Sequence, residues 1–565
     1  MTDATVPPVA SRMLSRLMAL GRYGGGLRVG TLTGASWVAV GAAVMIALPV
    51  LVVLTGIGAD TDGLWAHLAA TMLPTAILNT AALVLLVGGG ALLVGTTTAW
   101  LVTMTRFPGR RILEWALLLP LAVPAYVMAY TYTDLLQFAG PVQSSLRAWF
   151  GWRRGDYWFP DIYSLPGAAF VLTFVLYPYV YALGRAAFLA QNACALEVAR
   201  TLGYGPWRMV TRVALPLARP ALVAGVGFVV METLADFGAV RFFEVQTFTT
   251  AIYATWTASG NLGATSQLAA CLLVAVGLLL ACERASRGGG RVTHATQRYS
   301  RLPTTRLSGL WGLTALVLCA LPVLIGFLLP SFVLIGLLRD AEQWTPWPRF
   351  WTLVFNTVLV GLLAALVVVP LAVAVAAASR AAKQPVARAA AKLATLGYAT
   401  PGVVIALGVV VTLGVADQAL GALGAEGLVL SGSIAALMYA YLVRFYAVAA
   451  EPVTSGFASI RPSIEGAARV LGAGSRRLWL TVHLPLLRPA VLTAALLVLV
   501  DVMKELPATL LLRPFNFDTL AVEAFQLART ERLDEAALPA LVIVVTGLLP
   551  VILLARMSGR GRAGR

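Results

Sequence analysis

Residues 197–203 read Glu197-Val-Ala-Arg-Thr-Leu-Gly203, and thirteen positions after that glycine the chain reaches Leu215-Pro216. Residues 465–472 read Glu465-Gly-Ala-Ala-Arg-Val-Leu-Gly472, and thirteen positions on stands Leu484-Pro485. One offset of 269 residues superposes Ala199 to Gly203 on Ala468 to Gly472, Leu215-Pro216 on Leu484-Pro485, and Arg219-Pro220 on Arg488-Pro489. A further echo, Asn79-Thr80 and Asn356-Thr357, recurs at an offset of 277, so the chain is written twice with small loop insertions. Within each copy Ala and Leu favour a helix up to the glycine, where Gly203-Tyr-Gly-Pro206 and Gly472-Ala-Gly474 break it. The pattern predicts a short helix, a bend and a second short helix closed by the Leu-Pro. Such an element lies along a membrane surface and offers one face to a soluble partner.

Both copies sit between long apolar runs. Of the 565 residues 59% are hydrophobic and only 12% charged, which excludes an ordinary soluble domain. A span needs about 20 apolar residues to cross roughly 30 Å of hydrocarbon. Twelve runs qualify, over 36–57, 78–104, 112–134, 167–190, 219–241, 264–283, 310–338, 352–379, 389–414, 428–450, 489–512 and 537–555. The expected fold is an all-α integral membrane protein of about twelve transmembrane helices in two pseudo-symmetric six-helix lobes. A leader occupies 1–34, the first lobe 35–284 with its loop at 191–218, a Gly/Ser/Thr/Arg-rich linker 285–309, the second lobe 310–556 with its loop at 455–488, and a basic tail 557–565.

The net charge of +17 is distributed between spans, on one side of the bilayer, rather than gathered in a nucleic-acid patch. Counting from a cytoplasmic N-terminus puts Arg12, Arg16, Arg106, Arg110, Arg380, Arg388, Arg476, Arg477, Arg556 and Arg560 inside, and Asp60, Asp62, Asp340, Glu342, Asp417 and Glu426 outside. Both termini are therefore expected in the cytoplasm of a multi-pass inner-membrane protein. Cys194, Cys271, Cys282 and Cys319 are scattered and form no C-x-x-C. His67, His294 and His483 form no ligand cluster, so no metal is assigned and no catalytic residue is evident. The first apolar run follows a long basic leader and is expected to stay in the mature protein.

The duplicated loop resembles the "EAA" loop of ATP-binding-cassette importer permeases. That resemblance implies a coupling helix that docks into a cytoplasmic ATPase, a role it carries to Glu197, Ala199, Gly203 and Pro216 and to Glu465, Ala468, Gly472 and Pro485. The second copy departs by placing Gly466 opposite Glu197. It also implies two copies of the ATPase, a periplasmic substrate-binding protein, no enzymatic activity and no cofactor in this chain. No Gly-Lys dipeptide occurs, so a Walker A phosphate loop is absent and ATP is expected to be used by the partner. Thr105-Arg-Phe-Pro-Gly-Arg-Arg111, Gly155-Asp-Tyr-Trp-Phe-Pro160, Leu176-Tyr-Pro-Tyr-Val-Tyr181, Leu234-Ala-Asp-Phe-Gly-Ala239, Thr247-Phe-Thr-Thr-Ala-Ile252 and Asp501-Val-Met-Lys-Glu-Leu-Pro-Ala-Thr509 look like the ferric-iron branch of these permeases. Branches handling thiamine, phosphonates or polyamines share part of that pattern.

The residues themselves bear on substrate through four acids inside apolar runs. Glu232 and Asp236 lie four apart and share a helix face, as do Asp501 and Glu505, and the 269 offset aligns the two pairs. Counted from Arg219 at about 1.5 Å per residue, Glu232 lies roughly 20 Å and Asp236 roughly 25 Å in, nearer the periplasmic mouth. Each would cost about 2.5–3.5 kcal/mol at mid-bilayer, so they need water or compensation. As a translocation path they could attract a hard trivalent cation. Equally, they could pair with Lys504 and Arg444 or reach water near a span end. Twelve spans with buried acids also suit an ion-coupled secondary transporter, but the basic loop 106–111 is not repeated at 380–392, whereas the EAA-like loop is.

Overall fold

The computed structural model describes residues 34–563 apart from 154, 192–198, 200, 288–304, 342–344, 382–384, 425–426 and 428. Glu197, Cys194, His294 and Lys383 fall outside the described residues.

With no water in hydrocarbon, every backbone N–H and C=O of a span must be satisfied within it, which makes helices the outcome of the apolar runs. The twelve are α1 (Gly34–Thr55), α2 (Leu73–Met104), α3 (Ala125–Leu136), α4 (Leu165–Ala190), α5 (Leu215–Ala235), α6 (Leu262–Arg287), α7 (Leu310–Asp340), α8 (Trp347–Ala381), α9 (Gly402–Ala422), α10 (Ile434–Ser459), α11 (Leu484–Met503) and α12 (Leu533–Ala563). Eleven of these spans are long and apolar enough to cross a membrane, and α3 is the twelfth only as half of a bent pair, Arg110–Ala122 and Ala125–Phe150, which turns by 94°. Pro124 and Pro401 hold extended backbone ahead of α3 and α9, so the third span of each half is broken alike. Ser164 and Ser433, at the 269 offset, cap α4 and α10 with their hydroxyls. The 8-residue difference between the two offsets falls between the third and fourth spans. There the first half adds the amphipathic helix Pro141–Phe150.

Three expectations are corrected. The runs 219–241 and 489–512 are not continuous helices, because α5 ends at Ala235 and α11 at Met503, each followed by a short helix, Gly238–Phe242 and Pro507–Leu512. The Leu-Pro of each loop closes nothing: Pro216 and Pro485 open α5 and α11, and the helices Pro206–Met209 and Ser475–Leu478 run into them. A proline has no N–H for the residue four back, and the chain widens just before it into a π turn in which Leu215 N bonds to Val210 O and Leu484 N to Trp479 O. The lobe limits also shift. α6 extends to Arg287 and α12 to Ala563, and the linker's end at Thr305 and Arg306 pairs in parallel with Thr105 and Arg106.

Sequence order does not equal spatial grouping. α1 packs mainly on α8, α9 and the helix Pro385–Ala394, all of the second half, and also touches α6, while α7 packs on α2, α3 and α4 of the first half as well as on α12 of its own. Ala39, Ala42 and Ile46 accordingly belong to the second lobe's apolar core, and Ala315, Cys319 and Leu334 to the first lobe's. Each exchanged span contains a proline, and the carbonyl that the proline leaves without a donor is met by a tyrosine of the other half. Pro49 cannot donate to Met45 O, which accepts from Tyr439 Oη at 2.7 Å. In the π register of Leu324–Leu328, Pro330 cannot donate to Ile325 O, which accepts from Tyr132 Oη at 2.8 Å. Gly408 lets Pro49 come close, since a Cβ there would lie 2.1 Å from Pro49 O.

The Asn-Thr echo has a matched structural cause. Asn79 Nδ2 donates to Gln246 O (3.0 Å) and Thr80 Oγ1 accepts from Phe248 N (3.3 Å). Asn356 Nδ2 donates to Asp518 O (2.9 Å) and Thr357 Oγ1 accepts from Leu520 N (2.8 Å). Each pair pins to the second span the entry of a helix between the fifth and sixth spans, Phe248–Ser259 or Leu520–Arg529. Replacing Thr80 and Thr357 together by Val would leave two buried N–H groups without acceptors, at about 1–3 kcal/mol each. The apparent melting temperature in detergent should fall, and more than for either single change. Thr98→Val, which removes only a hydroxyl bonded back to Val94 O and Gly95 O, should change little.

Candidate coupling loops and central cavity

Both loops turn at glycines in the left-handed region, Gly203 at φ +77° and Gly472 at φ +82°. The chain closes around each in the same way, Tyr204 N donating to Ala199 O and Ala473 N to Ala468 O, both at 3.0 Å. Ala199 is buried and Ala468 half-buried, while both glycines and both prolines, Pro216 and Pro485, are exposed. Glu465 is turned inward. Its Oε1 accepts from Arg380 Nε (2.8 Å) at the end of α8 and lies 3.1 Å from His483 Nε2 at the start of α11. Arg380 also donates to Phe457 O and Ile460 O, so one guanidinium ties α8, α10 and the loop together. Burial raises the Glu465 carboxyl, but the hydrogen bonds and charge of His483 and Arg380 outweigh it and hold it below the usual range. The residues that stand out of the loops are apolar: Leu202 is 69% exposed and its 269-offset counterpart Leu471 83%. Sequence reading singled out neither, although each directly precedes the glycine.

All four intramembrane acids line one cavity of about 170 Å³ between the lobes. They do not share one role. Asp236 and Glu505 lie beyond the ends of α5 and α11, which corrects the expectation that each shares a helix face with its partner. Their carboxylates cap the short helices that follow. Asp236 Oδ1 accepts from Val240 N (3.0 Å), and Glu505 accepts from Ala508 N (3.0 Å), Thr509 N (2.9 Å) and Thr509 Oγ1 (2.6 Å). Glu232 and Asp501 are still on their helices. Tyr398 Oη donates to Glu232 Oε1 at 2.5 Å, and Lys504 Nζ lies 2.9 Å from Asp501 Oδ1. Arg444 Nε stands 4.0 Å from Glu505 Oε1.

The twofold relation between the halves relates the acids but not the bases. Arg444 replaces Val175 and Lys504 replaces Ala235, and all four positions line the cavity. Four carboxylates against two cations leave an excess of negative charge when all are ionised. Among the described residues no three His, Cys, Asp or Glu side chains converge as a metal site. Of the tyrosines around Pro178, Tyr177 and Tyr181 pack by donating to Leu117 O and Glu114 O, and Tyr179 reaches the cavity. Tyr398 and Tyr126, also on its wall, are acceptor and donor groups that no local pattern marks out.

Two segments of the chain, 91–282 and 369–563, each match the family described as binding-protein-dependent transport system inner membrane component. The chain belongs to that family. The permease is 26% identical over 487 residues to the Fe(3+)-transport system permease protein FbpB 2 of Haemophilus influenzae, covering 85% of this chain and 89% of the relative. It is 29% identical to the molybdenum transport system permease protein ModB of Escherichia coli K12 over 28% of this chain and 69% of the relative. To the sulfate transport system permease protein CysT of the same organism it is 32% identical over 26% of this chain and 50% of the relative. The permease is thus a multi-pass inner-membrane transport component, and its family works with a binding protein.

Because the folded state holds the Glu465 carboxyl low, its stabilisation is present above the ordinary value of 4.5 and is lost as pH falls through the depressed one. Glu465→Gln should lower the apparent melting temperature of the permease at pH 7. The difference from wild type should close as the pH of the melts is taken below 4.5.

Proposed function

We propose that this permease is the fused, two-lobed transmembrane subunit of an ATP-driven ferric-iron importer. The observation that carries the reading is the cavity between the lobes, with carboxylates at twofold-related positions on its wall and an excess of negative charge, since hard oxygen donors suit a hard trivalent cation. The Fe(3+) permease relative supports it by aligning across both halves, where the molybdenum and sulfate relatives align over about a quarter of the chain. Lys504 and Arg444 moderate the attraction, so that iron passes and is not retained.

In this reading one ATPase docks on each coupling loop, with Leu202 and Leu471 as apolar anchors and the glycine bends setting the angle of the loop. Two ATPase copies bind the ATP, and this chain binds none. The loops, the linker and both termini then face the cytoplasm. The opposite end, with the aromatic stack Phe150–Trp152–Tyr157 of the loop between α3 and α4, receives the periplasmic binding protein. Closure of the ATPases would draw the loops together and open the cavity outward. Because Arg380 joins Glu465 to α8 and α10, loop movement reaches the spans as a unit.

A second reading, an importer of an oxyanion such as a phosphonate, draws on Arg444 and Lys504. The putative 2-aminoethylphosphonate transport system permease protein PhnU of Salmonella typhimurium, 28% identical over 30% of this chain, belongs to that alternative. Reconstitution in liposomes with the cognate ATPase and binding protein separates them. ATP-dependent uptake of radiolabelled ferric iron, at least tenfold reduced by Glu232→Gln with Asp501→Asn, is expected. Uptake of phosphonate and not iron, abolished by Lys504→Met, would replace the cargo. In the same vesicles Gly203→Val with Gly472→Val should abolish uptake while leaving basal ATP hydrolysis, since a β-branched residue is strained at positive φ.

A further inference from the structure

A large apolar concavity lies away from the cavity between the lobes. It has a volume of about 1140 Å³ and is walled by α2, α5 and α7, on the outer face of the first lobe. Leu93, Trp311 and Leu318 on its walls are exposed. Along α2 it runs from Leu92 to Thr105, and along α5 to Val226. At about 1.5 Å per residue that is roughly 20 Å. One leaflet of hydrocarbon is about 15 Å deep, half of roughly 30 Å, so the groove is long enough for a whole acyl chain.

Its charge is as specific as its shape. Twenty-three residues line it, and Arg219 is the one charged side chain among them, with no acid to neutralise it. Arg219 is exposed and, among the described residues, has no hydrogen bond or ion pair. Side chains on a helix lean toward its N-terminus, so the guanidinium is directed toward the coupling-loop end of α5. Trp100 and Trp311 flank the groove at that end, where indoles mark a membrane–water boundary. Among the described residues no acid pairs with it, and an arginine at that boundary can take a lipid phosphate.

We propose that this groove is a binding site for an anionic phospholipid, its phosphate on Arg219 between Trp100 and Trp311 and one acyl chain along Leu92, Leu93 and Val226. The site is particular to the first lobe. Arg488 repeats Arg219, but the 277 offset puts Val373, Ala374 and Ala377 where α2 carries Thr96, Thr97 and Trp100, so the second lobe keeps the charge without the surroundings. Because α5 begins in one coupling loop and α7 belongs to the other half of the sequence, a lipid seated there touches both halves and a loop.

Native mass spectrometry of the full chain, titrated in detergent with phosphatidylglycerol or phosphatidylethanolamine, tests this. Wild type should retain phosphatidylglycerol in preference to phosphatidylethanolamine. Arg219→Gln should lower that retention about tenfold or more, the loss expected for one charge-assisted hydrogen bond. Arg219→Lys and Arg488→Gln should keep it, and Val223→Trp, which fills the groove while leaving Arg219, should abolish it. Equal retention of the two lipids, or phosphatidylglycerol held undiminished by Arg219→Gln, overturns the proposal. Retention unchanged by Val223→Trp also overturns it and assigns the groove to a protein segment or a second copy.

Discussion

Where a span breaks inside a membrane and a new helix starts, the first N–H groups of that new helix have no partner within it and hydrocarbon offers none. The fifth span of each half stops in this way, at Ala235 and at Met503, and the structure around the cavity follows from how the next N–H groups are satisfied. Asp236 and Glu505 supply the acceptors, which is why acids are tolerated at that depth at all. Each carboxylate gains hydrogen bonds that offset part of its desolvation, and each fixes the helix that follows. Without the breaks there would be no short helices to wall the cavity. Glu232 and Asp501 would then lie on an uninterrupted apolar rod.

Duplication explains the scaffold, and departures from it mark where function has been written. Turn glycines, span-capping serines, π turns before prolines and Asn-Thr pins all recur at fixed offsets, because each solves a backbone problem that both halves share. Arg444 and Lys504 solve no such problem, since Val175 and Ala235 occupy the same places in the other half. The cavity is therefore acidic at paired positions and polarised by its exceptions. The two acids of a pair divide their work likewise, one held by backbone and the other left facing the space.

What could be read in the sequence follows the range of the interaction behind it. The spans were legible because apolar run length is a local property, and the loops because a repeated motif needs no partner to be seen. Glu232, Asp236, Asp501 and Glu505 were legible as a group because charge in an apolar run is itself anomalous, and they do meet. Their division into caps and cavity groups was not, since it depends on where α5 and α11 end. Tyr398, bonded to Glu232 across 166 positions, and the inward turn of Glu465 onto Arg380, across 85, carry no local signature. The exchange of α1 and α7 was equally hidden. Hydropathy says that a helix crosses, not beside which neighbour.

That exchange bears on how the protein is made. α1 precedes the other described spans in the chain, yet the tyrosine that meets its Met45 carbonyl lies 394 positions later. At 5–20 residues per second, about 20 to 80 s of synthesis separate the two. For that interval Met45 O lacks its tyrosine donor, and the span waits for most of its partners with only α6 of its own half beside it. α7 has a divided history, because its seats on α2, α3 and α4 are already present when it emerges whereas its partner α12 is made last. The seat of α1 is therefore completed by α8, α9, the helix Pro385–Ala394 and α10, all of them made well after it.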